Sequence, residues 1–202
     1  KKVQETCSKK SVLNLFCYTG AFSVYAASGK AKSVTSVDLS KKYLEWAKKN
    51  FKLNGYQDES KYQFIASDVK TFLLQDTNYY DIIVLDPPTF SNSKKTETTL
   101  DINRDWTELV DLCCKRLSEN GILYFSTNSR KIHFQEEKLP LGFISKDITD
   151  STIPEDFRNM KIHQAWEIKA YSENSKNPDL ETKKGFPENS KNPQESKTEF
   201  RY

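Results

Sequence analysis

Apolar residues in this chain come in short bursts, and the bursts alternate between strand-like and helix-like spacing. Ser11–Phe16 (S-V-L-N-L-F) is a compact apolar run that Thr19-Gly20 breaks. Ala21–Ser28 then resumes with helix-compatible residues, and Gly29 ends it. Lys32–Val37 is rich in β-branched residues and leads to Asp38. Ser40 is placed to N-cap a helix reaching about Asn54, which Gly55 stops. Tyr43, Leu44, Trp46, Ala47 and Phe51 form its inward stripe. Tyr62–Ala66 predicts a third strand that runs out near Asp68, with a helix from Val69 to about Leu74. Tyr80–Leu85 is dominated by apolar residues, as a strand covered on both faces must be, and stops at Asp86-Pro87-Pro88. A helix from about Ile102 to Ser118 and a strand over Gly121–Thr127 follow.

This succession of strand-then-helix units predicts an α/β fold with a doubly wound, mostly parallel sheet. After Thr127 the rhythm weakens. Phe143–Ile148 and His163–Ala170 read as two more strands joined by Pro154–Met160, so an antiparallel closing strand completes a seven-stranded, Rossmann-like sheet. Beyond residue 170 the composition changes: E-N-S-K-N-P occurs at 173–178 and again at 188–193, with almost nothing to bury. Residues 1–170 are read as the folded domain and 171–202 as a disordered polar tail.

The 202 residues, 36% hydrophobic and 12% aromatic, suffice for one substantial core. No apolar run is long enough to span a bilayer and the amino end lacks a signal-peptide core, which predicts a soluble, cytoplasmic protein with no membrane partner. Cys7, Cys17, Cys113 and Cys114 show no C-x-x-C spacing, so reduced thiols are expected and no metal site is. The chain opens Lys-Lys and its one methionine is Met160, so it is expected to be an N-terminally truncated piece of a longer protein. The net charge of +3 is unevenly spread. Residues 1–54 hold 11 Lys+Arg against 3 Asp+Glu, residues 55–128 hold 7 against 12, and residues 129–202 hold 13 against 13. A local basic excess suits a surface that meets phosphate; solvated lysines on amphipathic helices would produce it too.

In an open doubly wound sheet, ligands lie beyond the carboxyl ends of the strands, where strand order reverses. The first strand delivers Asn14-Leu15-Phe16-Cys17-Tyr18-Thr19-Gly20-Ala21, whose single glycine lacks the G-x-G-x-x-G spacing of a pyrophosphate cradle and argues against a dinucleotide. The second ends in Asp38, where a carboxylate can accept both hydroxyls of an unphosphorylated ribose. The third ends in Ser67-Asp68, suited to an exocyclic amine such as that of adenine. Together they describe a nucleoside ligand, and S-adenosylmethionine is the one expected. The alternative is that Asp38 and Asp68 merely N-cap the following helices. Asp86-Pro87-Pro88-Thr89-Phe90 leaves the buried fourth strand as a rigid turn beside a carboxylate, able to hold the edge of a planar base while Phe90 stacks on its face. Two prolines could also simply end a strand.

The stretches N-L-F-C-Y-T-G-A-F, V-D-L-S-K-K-Y-L-E-W-A-K-K-N, L-D-P-P-T-F-S-N-S-K, F-S-T-N-S-R and D-F-R-N-M-K-I-H-Q-A-W together resemble the carboxyl-terminal methyltransferase half of the bifunctional bacterial large-subunit ribosomal RNA guanine methyltransferases of the K/L type. The resemblance covers about residues 11–170. It implies a class I methyltransferase that methylates N7 of a guanine, linked in the full protein to an amino-terminal half with an RNA-binding module and a second methyltransferase activity. It further implies that Phe16, Tyr18, Thr19 and Gly20 line the methionine side of S-adenosylmethionine, that Asp38 holds the ribose and Asp68 the adenine, and that Asp86, Pro87 and Pro88 face the methyl group and the base. Because guanine N7 carries a free lone pair, no general base is needed and alignment does the work. Asn128, Arg104, Arg130 and Arg158 are candidate RNA contacts. The alternatives are transfer to adenine N6, against which the Thr89 before Phe90 counts; transfer to cytosine C5, which needs a cysteine nucleophile; and a non-catalytic RNA-binding module.

Overall fold

The computed structural model describes residues 1–91, 99–153 and 163–171. In chain order these form α1 (Lys2–Thr6), β1 (Ser11–Leu15), α2 (Ala21–Ser28), β2 (Ser33–Asp38), α3 (Lys41–Leu53), β3 (Tyr62–Ala66), α4 (Val69–Gln75), β4 (Tyr80–Leu85), β5 (Phe90–Ser91), β6 (Leu100–Asp101), α5 (Ile102–Cys114), β7 (Leu117–Thr127), β8 (Phe143–Asp147), α6 (Thr149–Thr152) and β9 (Gln164–Ala170). Seven strands make one sheet in the order β3-β2-β1-β4-β7-β9-β8. The pairs among the first five are parallel, and β9 runs antiparallel to both neighbours. The expected doubly wound, seven-stranded sheet with an antiparallel closing strand is therefore what forms, with the antiparallel strand inserted one place in from the edge.

The alternation of side chains along each strand divides the core in two. Leu13, Leu15, Ile83, Leu85, Leu123 and Phe125 face α4 and α5, meeting Phe72, Leu73, Trp106 and Leu109. Val12, Val34, Ile82 and Val84 face the other way, against Val3 of α1, Ala26 and Ala27 of α2 and Phe51 of α3. Trp166 of β9 stacks on Phe125 at 5.4 Å and on Phe134 at 4.4 Å, closing the first layer. At the amino edge of the sheet Asp81 ties three strands together. Its Oδ2 accepts the Ser11 N–H (2.8 Å) and the Ser11 hydroxyl (2.9 Å), and its Oδ1 accepts the Ser118 hydroxyl (2.7 Å).

Three expectations are corrected. The helix expected to reach Ser118 stops at Cys114, and the strand expected at Gly121 begins at Leu117. The Tyr80 N–H donates to Arg116 O at 2.9 Å and Tyr80 pairs with Leu117, so a long-range ladder takes over residues whose local pattern suits a helix equally well. In α3, Leu44, Ala47 and Phe51 are buried as expected, whereas Tyr43 and Trp46 are exposed. Ala47 of the buried stripe packs against the turn at Gly20, where an added Cβ would stand 2.9 Å from its own. The short ribbon β5–β6 has no counterpart in the sequence pattern. The expected strands Phe143–Ile148 and His163–Ala170 form with slightly shorter bounds; their connector Pro154–Met160 and all of the tail beyond Tyr171 lie outside the described residues. No helix among the described residues is long and apolar enough to cross a membrane.

Candidate active site

Strand order reverses between β1 and β4: β2 and β3 extend one way, β7, β9 and β8 the other. At the carboxyl ends of these strands lies a cleft of about 1080 Å³, lined among others by Phe16, Tyr18, Asp38, Asp68, Asp86, Pro87, Pro88 and Asn128. That is room for a nucleoside-sized cofactor and part of a substrate.

The turn after β1 forms the first wall. Phe16 and Tyr18 both adopt left-handed backbone, with φ of 53° and 50°. Such residues cost about 1–3 kcal/mol each unless their surroundings over-determine them. Here they are over-determined. The Cys17 N–H donates to Val37 O (3.0 Å), the Gly20 N–H to Cys17 O (2.8 Å), the Asn50 side-chain amide to Thr19 O (2.9 Å), and the Tyr18 N–H to Asp38 Oδ2 (2.9 Å). Gly20 has φ +78° and N-caps α2, and a Cβ there would stand 2.9 Å from that of Ala47. Both facts require glycine. Beneath the turn the Asn14 amide donates to Ser23 Oγ (2.8 Å), which meets Ser36 Oγ at 2.8 Å, so a buried polar chain seats the first turn of α2 on β1 and β2.

The two acidic strand ends differ. Asp38 does not cap α3; Ser40 does, accepting the Tyr43 N–H. Asp38 instead takes the Ser40 N–H on Oδ1 (2.8 Å) and the Tyr18 N–H on Oδ2, so each oxygen keeps a second lone pair for a ligand. Asp68 does cap α4: its Oδ1 accepts the Thr71 N–H (2.9 Å) and hydroxyl (3.2 Å). Leu39, Val69, Leu74 and Leu109 supply an apolar lining around them.

Asp86 ends β4, and its Oδ1 accepts the Ser126 hydroxyl at 2.7 Å. Burial pushes its carboxyl above the usual aspartate range, only partly offset by the Ser126 bond and the nearby His163. Asp81, at the other end of the same strand, goes the opposite way. Burial would raise it too, but the hydrogen bonds from Ser11 and Ser118 outweigh that and hold it below the usual range.

Of the residues singled out in the sequence, Phe16, Tyr18, Asp38, Asp68, Asp86, Pro87, Pro88 and Asn128 are brought together, while Thr19, Gly20, Phe90 and Arg130 are not among the cleft's lining residues. Thr19 and Gly20 take part in the turn through backbone hydrogen bonds. Phe90 sits on the ribbon opposite Asp101, 61% exposed, and Arg130 is exposed. Arg158 lies outside the described residues. Arg104 is occupied: its guanidinium donates to both carboxylate oxygens of Asp105 (2.6 and 2.9 Å) and to Thr99 O (2.7 Å). Sequence reasoning missed Lys70 and Glu108, which line the cleft and pair at 2.6 Å between α4 and α5. No local signal joins residues so far apart in the chain. All four cysteines are buried. Burial and the charge of Asp38 push the Cys17 thiol up to about 12, and burial with Asp111 does the same to Cys114. Among the described residues no group of three or more His, Cys, Asp or Glu is arranged to hold a metal ion.

A doubly wound sheet whose acidic strand ends meet in one cleft at the switch point defines a nucleoside-cofactor enzyme. The chain belongs to the S-adenosylmethionine-dependent methyltransferase family, whose sequence profile matches residues 1–133. It is 49% identical over 174 residues to the ribosomal RNA large subunit methyltransferase K of Neisseria meningitidis serogroup B, covering 84% of this chain and 48% of that protein. It is 47% identical over 168 residues to the ribosomal RNA large subunit methyltransferase K/L of Pseudomonas paraeruginosa, covering 83% and 23%. The chain thus spans about half the length of the first relative and under a quarter of the second. Among solved structures, a SAM-dependent methyltransferase from Agrobacterium tumefaciens superposes with a TM-score of 0.66 at 26% identity, over 84% of this chain and 58% of that one. A methyltransferase complexed with SAH superposes at 0.67 and 26%, over 84% and 47%. The methyl donor is S-adenosylmethionine, and the acceptor-lined, partly apolar cleft suits its nucleoside.

Proposed function

We propose that this chain is the catalytic domain of a large-subunit ribosomal RNA methyltransferase that transfers a methyl group to N7 of a guanine. The observation that carries the reading is the convergence of Asp38, Asp68 and Asp86-Pro87-Pro88 on one cleft in a chain half identical to a ribosomal RNA methyltransferase over most of its length. S-adenosylmethionine, when bound, supplies an electrophilic methyl group on a sulfonium.

The chain's own residues do the positioning. Asp38 offers its two remaining lone pairs to the ribose hydroxyls, and Asp68 offers the oxygen not used for capping to the adenine amine. Phe16, Tyr18, Thr19 and Gly20 shape the methionine side, Thr19 and Gly20 through backbone. Asp86 and the Pro87 and Pro88 carbonyls hold the edge of the base, with Phe90, Asn128, Arg130 and Arg158 contacting the substrate. Asp86 orients and takes no proton, because guanine N7 is already nucleophilic; holding donor and acceptor in line supplies roughly 7–11 kcal/mol of barrier reduction.

Residues 1–170 are assigned in this reading to the methyltransferase domain. In the whole protein an amino-terminal half provides further RNA binding and a second methyltransferase, and the substrate sets the cytoplasm as its place of action. The test is transfer of labelled methyl groups to large-subunit ribosomal RNA by the full-length protein, followed by nucleoside mass spectrometry. 7-Methylguanosine is the expected product, and N6-methyladenosine or 5-methylcytidine would overturn the assignment.

A further inference from the structure

The sequence pattern assigns Tyr43 and Trp46 to the core, and the structure turns both outward. Trp46 is 51% exposed, whereas Trp106 and Trp166 are 2% and 5% exposed. The Tyr43 ring meets the Tyr18 ring edge-on at 4.5 Å, and both residues line the cleft. Trp46 follows one turn on, roughly 4.5 Å along the helix axis. Phe22, in the first turn of α2, is exposed too, and Gly20 before it abuts α3 at Ala47, the residue after Trp46.

Lys42 and Lys49 share the face of Trp46, one turn to either side, and both are exposed. Among the described residues neither takes part in an ion pair, while Lys48 is held by Glu45 at 2.9 Å. In all, α3 carries five lysines against the single acid Glu45. About half of Trp46 is left outside this fold's packing, between two lysines that form no ion pair among the described residues. Charged residues are depleted at the centre of a protein–protein contact, and lysine is under-represented throughout. Flat rings flanked by cations match a single-stranded nucleic acid, whose bases stack while its phosphates pair.

We propose that the Tyr43–Trp46 face of α3, flanked by Lys42 and Lys49, is a docking strip for single-stranded RNA leading out of the cleft. This rests on the ribosomal RNA reading above and adds where the strand lies.

The test uses the 202-residue chain and a labelled single-stranded RNA dodecamer of mixed sequence. Binding is read by anisotropy, and occupancy of the strip by acrylamide quenching of tryptophan fluorescence, which reports on Trp46 because the other two tryptophans are buried. RNA is expected to protect Trp46 from acrylamide. Trp46→Ala should weaken RNA binding roughly 5- to 150-fold, the size of one base–aromatic stack, and Trp46→Phe should restore most of it. The Lys42→Ala/Lys49→Ala double variant should lower the slope of log affinity against log salt by about 1.4, two single-strand phosphate contacts. S-adenosylmethionine affinity should be unchanged in all three variants. The proposal is overturned by RNA binding that is absent in the parent or unaltered in Trp46→Ala, or by an unprotected Trp46. It is equally overturned if Trp46 is protected by raising the protein concentration alone, with a dimer in sedimentation, which would give the face to a second copy. If Trp46→Ala binds RNA normally while the full-length protein still forms 7-methylguanosine, the strip fails and the functional reading stands; if no ribosomal RNA is methylated, that reading fails first.

Discussion

The carboxylate of Asp38 accepts the backbone N–H of Tyr18 at 2.9 Å, so the residue at the end of β2 fixes the turn at the end of β1. Tyr18 stands there in left-handed backbone with φ of 50°. One side chain thereby shapes the turn and presents its remaining lone pairs to the cleft, and the two effects should be lost together.

Asp38→Ala is expected to weaken S-adenosylmethionine binding by about 1.5–3 kcal/mol, roughly 10- to 150-fold, the value of hydrogen bonds to a charged acceptor. The same variant should speed hydrogen exchange at the Tyr18 amide even without cofactor, because its acceptor is gone. Calorimetry and amide exchange measure the two effects. Unchanged affinity in a folded variant would remove Asp38 from the cofactor site.

Gly20→Ala should cost stability twice over. The left-handed φ of +78° costs about 1–2 kcal/mol for a residue with a Cβ, and the new methyl would meet Ala47 Cβ at 2.9 Å. Adding Ala47→Gly removes the overlap and leaves the backbone cost. Thermal melts should therefore show the double variant recovering part of the loss beyond the cost of a helical glycine, about 1 kcal/mol. Full tolerance of Gly20→Ala would mean that the turn relaxes freely.

The two aspartates that bound β4 predict opposite pH behaviour. Asp81 is held below its ordinary value, so its contribution is present above that value and is lost as pH falls through the depressed one. Asp86 is raised, so its contribution is fully present below the ordinary value and is lost as pH rises through the raised one, since burial disfavours its ionised form. Asp81→Asn should lower the melting temperature at pH 7, with a loss of about 1–3 kcal/mol from weakened bonds to Ser11 and Ser118. Asp86→Asn should keep or raise the melting temperature at pH 7 while methyl transfer falls, and its advantage should shrink on acidification. A destabilised Asp86→Asn at pH 7 would show that Asp86 serves the fold first.

Much of this arrangement was legible because strand ends are dictated by local pattern. Apolar bursts that stop at Asp38, Asp68 and Asp86 place these residues at one edge of a parallel sheet whatever the details of packing. What escaped depended on distant partners. The boundary between α5 and β7 is set by Tyr80 pairing with Leu117, and Leu112, Cys113, Cys114 and Leu117 would suit either element. The ribbon β5–β6 has two residues per strand, too few for any period to show. Ala47 faces Gly20 of a different element, a partner invisible in the helix taken alone, while Tyr43 and Trp46 stay exposed.

The thiols predict which base chemistry is closed to this cleft. Cytosine C5 becomes nucleophilic only after a thiolate adds to C6, so that reaction needs a cysteine whose thiolate is accessible near neutral pH. The described cysteines are the reverse. Cys113 and Cys114 are buried in α5 and their thiols are pushed up, Cys7 is buried under α2 and also raised, and Cys17, in the cleft's own turn, stands at about 12 because burial and the Asp38 charge both disfavour the thiolate. In the folded chain all four should react slowly with a thiol reagent at pH 7 and rapidly after unfolding. Cys17→Ser should leave methyl transfer largely intact in the full-length protein, and RNA containing 5-fluorocytosine should form no covalent complex. A trapped adduct that disappears with Cys17→Ser would move the enzyme from guanine N7 to cytosine C5, and would require binding of cofactor or RNA to bring the Cys17 thiol down from about 12 to near neutrality.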